Sequence, residues 1–299
     1  MDLNQSINYS DKNELLDNFY VQLESNDDNE NTFSNFNTKL AKRLNLNIDW
    51  EVALTEISYH KSWLNVKKIE RIKLIDREGN YEPVIPTLYP GHYSSPQQLI
   101  KHINDALMHS RKNLYIPFYH QPPELIYNEF SNMVDVRLGI SNRRMKNNFP
   151  PYILPEFSPY MNKLLGLKDE NNKPISFKMT IEDAIYTVLE DNNYPPAYIK
   201  PRAKEMSFER GMGSILVYTD IIKPVLVGSE EAQLLRSVEI PKNLCYKENC
   251  VIKYKLPYYH PIVKQEIETI RITLRDNLNR LIDFGREVTK LVLHFRKKR

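Results

Sequence analysis

The sequence predicts an all-β sandwich, and three observations carry that reading. Short runs of β-branched, aromatic and aliphatic residues alternate with polar ones at a period of two along most of the chain. Proline is abundant and scattered, 19 residues against only 8 Gly, which implies many short elements joined by stiff turns and argues against a helical bundle. Only one segment has a convincing helical period, and no strand–helix–strand rhythm recurs. At 299 residues the chain can bury one large core or two smaller ones.

Met1 to Asn13 is polar and reads, with the residue that follows, as a flexible arm over 1–14. Phe19, Val21 and Leu23 alternate as a first strand. The acidic insert Glu24 to Asn31 (ESNDDNEN) follows, solvent-facing and without the Gly and terminal Glu of an EF-hand loop. Phe36, Thr38 and Leu40 alternate again, with Leu44, Leu46 and Ile48 in step. Trp50 to Tyr59 (WEVALTEISY) has apolar residues on both faces, which predicts a strand covered on both sides. Ile69 to Ile75 and Tyr81 to Ile85 read as a hairpin turning near Glu78-Gly79.

In YSSPQQLIKHINDALMHS, Ser95 can cap, Pro96 suits the first helical position and Gln98 completes a capping box. Leu99, Ile103, Ala106 and Leu107 then give an amphipathic helix over 96–109. Periodicity weakens from 110 to 211. Strand candidates there are Met133 to Leu138, Ile175 to Met179, Ala184 to Leu189 and Tyr198-Ile199, with a turn or two of helix between Ser158 and Gly166.

Gly213 to Ile240 is the densest framework stretch. Ile215, Leu216, Val217 and Tyr218 read as a strand buried on both faces, which must end, bulge or lie at an edge by Lys223 because Pro224 cannot donate to a ladder. Gly228-Ser229 permits a reversal, and Leu234, Leu235, Val238 and Ile240 re-enter the core. Val251 to Leu256, Ile267 to Leu274, Leu281 to Phe284 and Val288 to Phe295 complete the strands before the terminal RKKR.

Lys plus Arg is 41 and Asp plus Glu is 38, and a net charge of +3 over this length does not by itself indicate a nucleic-acid binder. Two Cys are few for a disulfide scaffold, and Cys245 and Cys250, with no His at ligand spacing, read as free thiols in a reducing compartment. The first twenty residues lack a signal-peptide pattern, and no apolar run is long enough to span a membrane. His102 and His109 read as surface histidines. No phosphate loop, HExxH or GxSxG occurs. The nearest approach to a catalytic pair is Glu56 with His60, which one strand face would hold about 13 Å apart. The expectation is a protein that is not an enzyme and takes no cofactor or metal.

Several blocks, NFYVQL, SNFNTKLAKRLNLNIDWEVALTEISYH, YSSPQQLIKHIND, VYTDIIKPVLVGSEEAQLLRSVEI, IETIRITLRDNLNRLIDF and LVLHFRKK, resemble the penton, or minor capsid, proteins of Polinton/Maverick elements and adintoviruses. The resemblance implies a single jelly roll forming homopentamers at the vertices of an icosahedral capsid, with the major capsid protein as partner and no catalytic residues. It implies a virion location, with synthesis and assembly inside the host cell, in nucleus or cytoplasm. The expected organisation is a jelly-roll core of residues 15–95 and 212–299, with 96–211 inserted as a helix plus proline-rich loops. Lys290, Arg296, Lys297, Lys298 and Arg299 form a basic terminus that touches packaged DNA non-specifically, docks on major capsid subunits, or is simply a solvated tail. The competing reading is a receptor- or glycan-binding attachment module of jelly-roll type. Its exposed aromatic surface would be Tyr115, Phe118, Tyr119, Tyr152, Tyr160, Tyr194 and Tyr198.

Overall fold

A computed structural model describes residues 17–28, 30–46, 49–76, 86–112, 119–141, 152–167, 198–199, 205–208 and 212–298. The chain divides into two units, Met1–Ser62 with Gly211–Arg299, and Trp63–Arg210.

Eight strands carry the first unit: β1 (Asn18–Glu24), β2 (Asn35–Asn45), β3 (Trp50–His60), β4 (Ser214–Thr219), β5 (Leu234–Glu239), β6 (Asn249–Lys253), β7 (Glu266–Arg275) and β8 (Lys290–Lys297). One sheet runs β1-β8-β3-β6 and the other β5-β4-β7-β2, with every neighbouring pair antiparallel. Strands 1, 8, 3 and 6 against 2, 7, 4 and 5 is the strand order of a jelly roll. The second unit is inserted in the chain between β3 and β4.

Alternation writes the core. On β8, Leu291, Leu293 and Phe295 are fully buried, while Val292, His294 and Arg296 point to the other face. Ile270, Ile272 and Leu274 do the same on β7, and Ile215 and Val217 on β4. Leu216 and Tyr218 are only half-buried, so β4 has one covered face and not the two expected.

The two-faced pattern of β3 has a different cause from the one expected. Trp50, Val52 and Leu54 are buried in one phase, Ile57 and Tyr59 in the other. Leu293 pairs with Leu54 and Val292 with Glu56, so Thr55 is an extra residue in the ladder. This bulge switches which side of the strand faces inward. It is bonded on both sides: Thr55 Oγ1 donates to the Val292 carbonyl at 3.0 Å, and the Thr55 carbonyl accepts from Tyr254 N–H at 2.8 Å. Between β4 and β5, Val225–Val227 pairs with Glu230–Ala232 around Gly228, whose φ of +63° suits glycine in the reversal.

The division of the chain differs from the sequence-based one on its N-terminal side. The expected core of 15–95 extends too far, because Val66, Ile72, Leu74 and Leu88 belong to the buried cluster of the second unit. The expected 69–75/81–85 hairpin also differs. Lys73–Asp76 pairs with Tyr152–Glu156, and Glu70–Arg71 pairs with Thr87–Leu88; residues 81–85 lie outside the described ones, as do the candidates 175–179 and 184–189.

The inserted unit is more than a helix with loops. Helix α1 (Pro96–Lys112) is capped by Ser95, whose Oγ accepts from Gln98 N–H at 3.2 Å, while the Gln98 side chain reaches back to Ser94. It buries Leu99, Ile103 and Leu107, and Asn104 brackets the backbone N–H and C=O of Leu125 at 2.9 Å each. Helix α2 (Pro159–Leu165) starts at Ser158 and ends at Gly166, with φ +72°. Short sheets built from 73–76, 152–156, 139–141 and 119–121, and from 198–199, 133–137 and 124–128, complete the unit.

Gly139 shows how closely this unit is packed. A Cβ there would lie 2.7 Å from both the Gln121 carbonyl oxygen and the Pro123 nitrogen, atoms of backbone that cannot swing aside. Gly139→Ala is expected to destabilise the protein by about 1–3 kcal/mol. Urea unfolding monitored in the insertion checks this, and an unshifted midpoint contradicts the packing.

Candidate functional site

The outer face of the β1-β8-β3-β6 sheet carries the densest set of polar and aromatic contacts in the sandwich. Its organiser is the segment 254–263, which leaves β6 at Thr55 and rejoins the edge of β3 where His260 and Pro261 pair with Val52 and Glu51. From this strap Tyr259 reaches β8. Its hydroxyl lies 2.7 Å from His294 Nδ1, and the Arg296 guanidinium stacks 3.4 Å over its ring. Arg296 in turn donates to Glu51 at 2.6 Å, and Tyr20 of β1 stacks on His294 at 4.4 Å. Ala53, opposite His294 on β3, is fully buried although it points away from the core.

The strap also binds the other sheet. Arg236 of β5 lies 3.4 Å over the ring of Tyr254 and 4.3 Å over that of Tyr258, and His260 Nε2 is 3.0 Å from the Leu235 carbonyl. The sequence signal for this device, PYYHP at residues 257–261, is local and lacks periodicity, so strand pattern alone does not mark it.

The basic terminus proves to be two separate places. Lys290 and Arg296 sit six residues apart on β8, hence about 20 Å. Lys290 pairs with Glu24 at 3.1 Å, Arg296 with Glu51 at 2.6 Å, and Lys297 with Asp17 at 3.0 Å. The Lys290 ammonium, and after it Gln22, hold the Glu24 carboxyl below the usual carboxylate range. Lys298 N–H donates to the Asp49 carbonyl at 2.6 Å; Arg299 lies outside the described residues.

The seven aromatic candidates do not form a described surface. Tyr160 is half-buried, packs on the core of the inserted unit and donates its hydroxyl to the Asn65 carbonyl. Tyr119 and Tyr152 lie on strands of one sheet and Tyr198 on another. Tyr115, Phe118 and Tyr194 fall outside the described residues.

Glu56 and His60 are not brought together: Glu56 takes Lys253 at 3.1 Å, and His60 faces Glu287 at 3.8 Å. His102 and His109 each bond the carbonyl four residues back on α1, at 2.9 and 2.7 Å. Cys245 is an exposed free thiol and Cys250 a buried one. Among the described residues no group of three His, Cys, Asp or Glu could hold a metal ion, and no helix is long and apolar enough to cross a membrane.

No protein-family model matches this chain, and no curated protein does. Solved structures that are similar include two matched over nearly the whole length. The selenomethionine-labelled mavirus penton protein is 13% identical, with 94% of this chain and 98% of that one covered and a TM-score of 0.41. A chain of the Sputnik virophage, solved by cryo-EM, is 12% identical with the same coverage and a TM-score of 0.42.

His260 of the strap and His294 of β8 give a pH dependence with a definite sign. Burial is the first cause that lowers both below the ordinary value of 6.5. Arg296 reinforces it at His294; at His260 the Leu235 carbonyl opposes it and Arg236 reinforces it. The folded sandwich therefore favours neutral imidazoles. The stability they contribute is complete above about pH 6.5 and is lost as pH falls through the lowered folded values. Melting temperature is expected to fall between pH 7.5 and 5, and His260→Gln with His294→Gln to shrink that fall. Scanning fluorimetry of both proteins checks this; an equal fall in both counts against the assignment.

The paired cations give a second expectation. Neutralising Lys290, Arg296 and Lys297 together to Gln should lower the melting temperature yet leave the salt dependence of duplex-DNA retention unchanged. A slope reduced by about 0.9 per residue would instead place those three on phosphates.

Proposed function

We propose that this chain is a structural capsid protein of the penton type, a minor capsid subunit that assembles as a homopentamer at icosahedral vertices. The observation that carries the reading is the strand order, β1-β8-β3-β6 against β5-β4-β7-β2, an architecture used by viral capsid subunits. The quoted sequence blocks add to it, because all but the one on α1 fall on β1, β2, β3, β4, β5, β7 and β8, the framework of both sheets.

Within this reading the partners are further copies of the chain and major capsid subunits, and the location is the virion, assembled in the host nucleus or cytoplasm. The carboxylates opposite Lys290, Arg296 and Lys297 favour a role for these cations in fastening β8 over a role in contacting packaged DNA. The attachment reading gains no support from Tyr160, whose ring and hydroxyl are both engaged within the inserted unit.

A ring makes one requirement: a single discrete oligomer formed by a head-to-tail contact that closes. Mass photometry across concentration and salt is expected to show a species of five copies in exchange with the monomer. A strictly monomeric protein under all conditions would overturn the proposal.

A further inference from the structure

The strap is anchored at its ends and lightly held between them. At one end Tyr254 N–H donates to the Thr55 carbonyl at 2.8 Å. At the other, Ile262 is buried and its N–H donates to the Trp50 carbonyl at 3.2 Å, while Val263 N–H donates to the Ile221 carbonyl at 2.9 Å. Between these anchors no residue from 255 to 261 is fully buried; Leu256 is 82% exposed and Tyr258 65%. A segment that buries so little apolar surface can open without the sheet beneath it.

The middle of the strap is fastened to the sheet through His294, and that fastening is poorly suited to a proton. His294 Nδ1 meets the Tyr259 hydroxyl at 2.7 Å, but Nε2 is buried and has no hydrogen-bond partner. A neutral ring tolerates this, with one nitrogen left as a bare lone pair. A protonated ring carries N–H on both nitrogens and so leaves a buried, charged donor without an acceptor. The surroundings offer no relief. β1 presents the ring of Tyr20, β3 presents Ala53, and β8 presents Arg296, a second cation stacked on the same Tyr259. Glu51 of β3 is engaged by that Arg296 at 2.6 Å.

His260 is a different case. Its Nε2–H donates to the Leu235 carbonyl at 3.0 Å, a bond that survives protonation, and its ring has no orphaned nitrogen. The charge beside it is Arg236 of β5, whose guanidinium lies over the rings of Tyr254 and Tyr258. On the β3 side it meets Val52. Of the two histidines, His294 is the one whose contacts fail when it charges.

We infer that the strap is an acid-released latch on the edge of β3: protonation of His294 frees residues 255–261 while the sandwich stays folded. Opening lets water reach the ring and returns its affinity for a proton towards the ordinary one. Burial first, and Arg296 after it, lower the closed-state value below 6.5, so the open strap binds the proton more readily. The latch is therefore fully closed above about pH 6.5 and weakens as pH falls through the lowered value. Release takes His260 and Pro261 from beside Val52 and Glu51 and leaves that stretch of β3 with an open ladder. The device is local, and it does not depend on how many copies of the chain assemble.

Hydrogen exchange read by mass spectrometry, with intrinsic rates corrected for pH, tests the latch. Between pH 7.5 and 5 the opening constant of peptides spanning 255–261 is expected to rise at least about threefold, and a single proton bounds the share of His294 at about 30-fold. Peptides within β7 are expected to keep their protection. His294→Gln retains a hydrogen-bonding group for Tyr259 but cannot charge, and is expected to lose most of the rise; His260→Gln is expected to keep the greater part of it. Tyr259→Phe leaves both imidazoles in place and is expected to open the strap at least about threefold at pH 7.5, with β7 unchanged. An equal rise in His294→Gln, a loss of protection in β7 that matches the strap, or a Tyr259→Phe strap as closed as the wild type overturns the latch.

Discussion

The antiparallel pairing of β3 with β8 is the contact on which the sandwich depends. β8 lies between β1 and β3, so without it the first sheet has no centre and β1 no partner. Phe295 also anchors the aromatic corner of the core, stacking on Phe19 at 5.0 Å beside Trp50. The pairing joins Lys290 to Ser58, a separation of 290 − 58 = 232 residues that contains the whole inserted unit. Closing so long a loop costs only slightly more entropy than closing a shorter one, because the cost grows with the logarithm of length. The kinetic consequence is larger. A fold whose central ladder is this non-local forms slowly, and until β8 arrives β1 and β3 have open edges. An inserted unit with a buried core of its own limits what is exposed meanwhile.

The strap follows from that central ladder. The bulge at Thr55 offers a carbonyl to Tyr254 and marks the point at which the chain leaves β6. Ala53, two residues before the bulge, is the smallest side chain on the outer face of β3 and lies opposite His294, the residue that Tyr259 reaches. A larger residue there would stand between the strap and β8. The strap is held more by stacking than by charge: exposed ion pairs contribute about 0–1 kcal/mol each, whereas a guanidinium on a desolvated ring reaches about 2 kcal/mol. Arg296 and Arg236 each serve a different sheet, so the strap ties the two sheets at one flank and leaves the other to its connections.

Much of this was legible in the sequence because alternation is a local signal. Phe19 to Leu23, Phe36 to Leu40, Ile270 to Leu274 and the run ending in Phe295 carry period two in consecutive residues, and the Ser95-Pro96-Gln98 cap announces α1 within four positions. What was missed depends on distant residues. A bulge at Thr55 and burial on both faces leave the same apolar pattern on WEVALTEISY, and only the register with β8 separates them. Adjacency suggests a hairpin of 69–75 with 81–85, while Lys73–Asp76 finds its partner at Tyr152–Glu156. Lys290 and the RKKR terminus read as one cluster because sequence shows the cations and not the acids opposite; Glu24, Glu51 and Asp17 arrive from β1, β3 and the residue before β1.

A jelly roll leaves four edge strands, here β1, β2, β5 and β6, and edges are where strands of other copies add without control. The chain treats its edges unequally. β2 is the longest and the most exposed, and its far end carries Lys42 and Arg43, the latter bonded to Glu266 and Glu268 of β7. Charge of both signs at a bulged edge resists strand addition. β6 is shorter and protected differently, since the strap that continues from it turns back to the same strand, β3, and fills the edge below it with His260 and Pro261. Proline there has no N–H to offer an incoming strand. With ladder extension discouraged at both places, association is left to side chains and connections. A contact of that kind is reversible and sensitive to charge, as an extended ladder is not.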